Sequence, residues 1–112
     1  MTYQNITPIK LGQTVMTTGA TTLYTVPAST RTFVKDIDII NTDGSGVTFD
    51  VYLVPSAGTA GVSNALFYQQ PIAAKQTIQW QGTQILNTGD TIQVKASAAT
   101  SVTITASGGE AV

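Results

Sequence analysis

The chain contains neither cysteine nor histidine. Without thiols there are no disulfides and no thiolate metal sites, and cysteine usage says nothing of the redox compartment. Without imidazole, the commonest general base, the commonest metal ligand and every Ser-His or Cys-His nucleophile pair are gone. Charge is scarce as well: 10% of the 112 residues are Asp, Glu, Lys or Arg, against roughly 25% in an average domain. The formal net charge is −1, and the five cations, Lys10, Arg31, Lys35, Lys75 and Lys95, are scattered, which leaves no basic footprint for nucleic acid. No apolar run approaches the roughly 20 residues that span a bilayer, and MTYQNITPIK lacks the cationic start and apolar stretch of a signal peptide. These absences predict a soluble, non-targeted chain with no nucleic-acid or membrane partner, no cofactor and no bound metal.

What the chain does have is threonine, twenty of them. A branched Cβ packs well on a pleated surface, and a neutral hydroxyl lets another surface approach with little desolvation of charge. This composition favours protein contact over ionic solvation. At 11.7 kDa the chain has the size of one domain, able to bury about two-thirds of its unfolded surface.

Extended segments and turns alternate throughout. Residues 1 to 20 mix isolated apolar residues with Pro8, Gly12 and Gly19, which predicts an N-terminal arm or edge strand with one strand near Thr14 to Thr17. The stretch 21 to 55 reads as three strands. Thr22 to Val26 is closed by Pro27, and Thr32 to Asn41 places Phe33, Ile37 and Ile39 on one face and Val34, Asp36, Asp38 and Ile40 on the other, with Lys35 the odd residue on the core face. The glycines of DGSG, at 43 to 46, predict a hairpin into Val47 to Val54, whose alternation sends Val47, Phe49, Val51 and Leu53 inward and Thr48, Asp50 and Tyr52 outward. A surface loop covers 55 to 64. Ala65 to Ile72, Lys75 to Trp80, Thr83 to Leu86, Thr91 to Ala96 and Ser101 to Ala106 complete the set, with NTGD at 87 to 90 as a further turn. The domain thus runs over 21–106 and a flexible tail, SGGEAV, over 107–112. Seven to nine short strands without a helix-period segment predict an all-β fold, a single antiparallel β-sandwich or jelly roll.

Few residues suggest chemistry. Asp36 and Asp38 share a strand face roughly 7 Å apart, a spacing at which carboxylates can bind a cation, but no His or Glu joins them and a solvated outer face explains them. NTDGSG lacks the spaced ligands of a calcium loop, and GSG is followed by neither the Lys nor the helix of a phosphate loop. No catalytic residue is assigned. Trp80, Tyr24, Tyr52 and Tyr68 are the residues able to form a sugar-stacking platform; core packing fits Trp80 better, whereas Tyr52, Tyr68 and Tyr3 are candidate contacts for protein or glycan, presenting apolar rings with polar tips.

An LYTVP turn feeding a long strand, VYLVP before a small-residue loop, an apolar QTIQW segment and an LNTGDTIQV strand pair occur in order over about residues 21 to 97. Together they resemble small structural proteins of tailed bacteriophages and prophages. The resemblance implies a β-sandwich virion component that decorates or cements a capsid by binding neighbouring subunits, a homo-oligomer with a trimer favoured. The alternative is a tail, baseplate or fibre component, with receptor or glycan binding. No catalytic residue is carried across, and the first twenty residues fall outside the resemblance.

Overall fold

The computed structural model describes residues 5–112. Eight strands form: β1 (Ile6–Val15), β2 (Thr21–Thr25), β3 (Arg31–Asn41), β4 (Val47–Val54), β5 (Ala65–Ile72), β6 (Thr77–Leu86), β7 (Thr91–Ala96) and β8 (Val102–Ala111). They make two antiparallel four-stranded sheets, ordered β1-β8-β3-β6 and β2-β7-β4-β5. First pairs with last and inward from there: β1 with β8, β2 with β7, β3 with β6, β4 with β5. This nesting is that of one long antiparallel ribbon rolled up so that β3 also meets β8 and β4 meets β7. It is a jelly-roll sandwich.

The nesting corrects the hairpin expected at DGSG. β3 and β4 lie in different sheets, and the turn carries the chain from one to the other. Side chains, not glycines at positive φ, hold it: Asn41 Nδ2 donates to Ser45 O (2.8 Å), Asp43 N to Asn41 Oδ1 (3.0 Å) and Ser101 Oγ to Asp43 Oδ2 (3.2 Å). Among the described glycines a positive φ occurs at Gly89, in the β6–β7 turn, where its N–H donates to Val26 O.

The core fills the space between the sheets. Val34, Ile37, Ile39, Val102, Ile104 and Ala106 face Phe49, Val51, Ile92 and Val94, all fully buried, with Phe49 and Phe67 in a tilted ring contact at 5.2 Å. Each strand contributes every second residue, as pleating demands.

One line of irregularity crosses the first sheet. The register slips at Lys10/Gly12 on β1, at Val34/Asp36 on β3 against both neighbours, and opposite this at Gly82 and Thr83 on β6. An extra residue flips the side-chain phase. Before Lys35 it is Val34 that points inward, and Phe33 sits on the outer face; after it Ile37 and Ile39 point inward. This corrects the assignment of Phe33 to the core face, and Lys35, which looked misplaced there, is the bulged residue. β8 passes the bulge at Gly108, where a Cβ would lie 1.8 Å from Phe33 O.

The same glycines correct the expected flexible tail at 107–112. β8 continues to Ala111, paired with β1 on one side and β3 on the other, and Val112 N donates to Asn5 O (2.9 Å). Small side chains are what allow a central strand to run beside a bulge. The N-terminal region likewise forms a full edge strand, Ile6–Val15, instead of one strand near Thr14 to Thr17. Gln76 N–H to Ala73 O closes the β5–β6 turn, and β6 continues past Gly82, which bulges it instead of dividing it into two strands.

Candidate contact surfaces

The outer face of the first sheet carries matched rows across all four strands. Along the bulge line Lys10, Ser107, Asp36 and Gln81 stand in register, and to one side of it follow Gln13, Thr105, Asp38 and Gln79, then Val15, Thr103, Ile40 and Thr77. Hydroxyls and amides dominate, and they bond laterally: Gln13 Nε2 donates to Thr105 Oγ1 (3.1 Å) and Gln79 Nε2 to Asp36 Oδ2 (3.3 Å). On the other side of the line Pro8, Gly109, Phe33 and Ile85 form an apolar row. Because Gly108 and Gly109 lack side chains, a shallow groove of about 360 Å³ opens there, lined by Ile6, Pro8, Phe33, Lys35 and Thr83.

Asp36 and Asp38 lie side by side on this face, as their spacing requires. Burial, then the charge and hydrogen bonding of Asp36, holds the Asp38 carboxyl above the usual carboxylate range. Asp36 Oδ1 is buried with no donor on it among the described residues, and a proton on Asp38 is the group that would supply one. Among the described residues no group of three His, Cys, Asp or Glu is placed to hold a metal.

The outer face of the second sheet differs. Asp50 and Tyr52 point outward from β4, as the alternation predicts, yet both are buried, at 4% and 3% exposure. Tyr52 is therefore not the exposed contact residue expected of it. Its hydroxyl donates to Asp50 Oδ2 (2.5 Å), while Asp50 Oδ1 accepts the Gln69 N–H (2.7 Å) and Lys95 Nζ stands 3.9 Å from Oδ2. The Gln69 N–H reaches Asp50 because β5 bulges there, with two residues opposite one and Gln69 at φ 49°. Burial and the neighbouring Asp50 push the Tyr52 phenol up to about 12. Alternation reveals a side chain's direction but not what covers it; the one available signal was Asp50 and Lys95 as opposite charges on facing strands.

Tyr68, on β5, is half exposed, and Tyr3 lies outside the described residues. Tyr24 spans the two sheets: its hydroxyl donates to Glu110 Oε2 (2.5 Å) and lies 2.7 Å from Thr32 Oγ1. Burial first, then the bond to Glu110, raises it to about 12. Trp80 packs against the core edge with its ring beside Gly82.

No family model and no curated protein matches the chain. Its fold, however, is similar to solved structures of a virus. A crystal structure of the infectious bursal disease virus particle superposes with a TM-score of 0.54 at 9% identity, covering 96% of this chain and 31% of that one. The Gx strain gives 0.52 at 13% identity, with 96% and 31% covered, and the VP2 subviral particle 0.50 at 14%, with 96% and 32%. The chain thus spans about a third of the length of the structures it matches, and at these identities the likeness is one of fold.

Proposed function

We propose that this chain is a non-enzymatic structural component of a virion, a jelly-roll subunit that decorates or cements the capsid of a tailed bacteriophage by binding neighbouring subunits and copies of itself. The observation that carries the reading is the pairing of a jelly-roll fold, similar to that of virus-particle structures, with an outer face on which threonine, serine and glutamine dominate. Hydroxyls and amides there outnumber the charged Lys10, Asp36 and Asp38, so an interface on this face desolvates few ions, and its hydrogen bonds to water exchange for bonds to a partner at little cost. Two carboxylates are internally satisfied, Asp50 by Tyr52 and Gln69 and Glu110 by Tyr24.

Immunogold labelling of purified particles in negative stain tests the proposal. Label distributed over the capsid shell is the expected result. Label confined to the tail would replace decoration by the tail, baseplate or fibre reading, and particles free of label would remove the virion role.

A further inference from the structure

Four strands end the two sheets, and three of them are blunted. β1 carries Pro8, Lys10 and a bulge; β2 is five residues long and is followed by Pro27; β5 carries Pro71 and the bulge at Gln69. Such devices keep an edge from pairing with another chain. β6, TIQWQGTQIL, has no proline and no charge, and its bulge at Gly82 leaves Thr77 to Gln81 unbroken.

The direction of its free hydrogen-bonding groups follows from one contact. Asn41 N donates to Gln76 O (3.0 Å), so by antiparallel alternation the backbone groups of Ile78 and Trp80 face β3 and those of Thr77, Gln79 and Gln81 face away. We propose that this edge pairs with the β6 edge of a second copy, antiparallel about a two-fold axis at Gln79, to make one continuous eight-stranded sheet.

The segment is self-complementary in that register. Gln79 pairs with Gln79, and Thr77 with Gln81 twice, so every outward N–H and C=O between Thr77 and Gln81 finds a partner of the kind a closed two-fold interface requires. On the inner side Ile78 of each copy comes beside Trp80 of the other, an aromatic and β-branched pair of the sort that stabilises sheets. Both are only half buried in the single chain. No like charges meet across the axis. The inference holds whether or not the virion reading does.

Sedimentation of the purified chain from about 1 µM to about 1 mM tests it, with the emission of Trp80, the lone tryptophan, as a local reporter. The expected result is a monomer–dimer equilibrium with a blue shift on association. Gln79→Pro removes an N–H that faces away from β3 and that no bond among the described residues uses, and should weaken association more than about 100-fold with its circular dichroism unchanged, while Gln79→Ala keeps the dimer. If the proline variant misfolds, a cysteine trap decides, since the chain has no other thiol: hydrogen-bonded partners lie about 5.5 Å apart at Cα, within disulfide reach. Gln79→Cys should cross-link to its own copy under mild oxidation and Gln13→Cys, on β1, should not. A monomer at every concentration, a trimer, a dimer that survives Gln79→Pro in a folded chain, or equal cross-linking at both edges would overturn the proposal.

Discussion

The two flanks of the sandwich are built differently. On one, β1 and β2 lie against each other, with Gly12 so close to Leu23 that a Cβ would meet that side chain at 2.6 Å, and β1 is tied to β8 at both ends through Asn5 with Val112 and Met16 with Val102. Tyr24 adds a bond from β2 to Glu110 on β8. On the other, β5 and β6 scarcely touch. β5 is held instead by the buried Asp50 through its bulge, and β6 by pairing with β3 and by the packing of Ile78 and Trp80 on the core. One flank is closed by its own chain, and the other presents an edge. A fold that blunts three edges and leaves the fourth plain has its exposure concentrated where a partner strand fits.

The contrast can be broken at the feature both flanks share, the bulge line. Gly108→Ala drives a Cβ into Phe33 O, backbone against backbone, and is expected to cost about 3–5 kcal/mol; thermal unfolding should show the fall, and an unchanged midpoint would mean that the bend is not fixed there. On the open flank, Asp50→Ala leaves the Tyr52 hydroxyl and the Gln69 N–H without an acceptor, for a loss of about 2–4 kcal/mol in denaturant unfolding. Amide exchange at Gln69 should accelerate with it, while β1 amides stay slow.

On the closed flank, Tyr24→Phe removes the bonds to Glu110 and Thr32, for about 1 kcal/mol at neutral pH. Its sharper signature lies in alkali. Tyr24 and Tyr52 hold their protons to about 12 in the folded chain, against about 10 when unfolded. Their contribution is therefore whole below pH 10 and lost as pH rises through 12. Stability should fall across that window, and less steeply in Tyr24→Phe. Between the flanks, Asp38→Asn is the smallest change. A raised carboxyl favours the folded state below its unfolded value and loses that advantage as pH rises, so at neutral pH the variant gains at most about 0.5 kcal/mol, solvent screening reducing the repulsion. The gain should vanish below about pH 4; a variant less stable at neutral pH would show that Asp38 is a bonding partner for the sheet instead of a repelled neighbour.

Much of the fold was legible because half-buried strands announce themselves by alternation. Ala65–Ile72 and Thr91–Ala96 stand where their patterns put them, and the inward residues of β4 and β7 form the core. What was not legible depends on neighbouring strands. Phe33 changed faces because a bulge at Lys35 shifts the phase, and a lysine on an apolar face was its trace. SGGEAV looked loose because chain ends fray unless they are tied down, yet here it is tied down on both sides, and Gly108 is required by contact with β3. Tyr52 looked exposed because direction was read as exposure. Strand order was hidden altogether, since nested pairing joins the two ends of the chain and leaves no local mark.

The account turns on the difference between the β1 and β6 edges, and amide hydrogen exchange measured at two protein concentrations tests it most directly. Exchange at Thr77, Gln79 and Gln81 should slow as concentration rises, while outward amides of β1 exchange at the same rate in both samples. Equal rates at β6 in dilute and concentrated samples, or slowing at β1 alone, would contradict it.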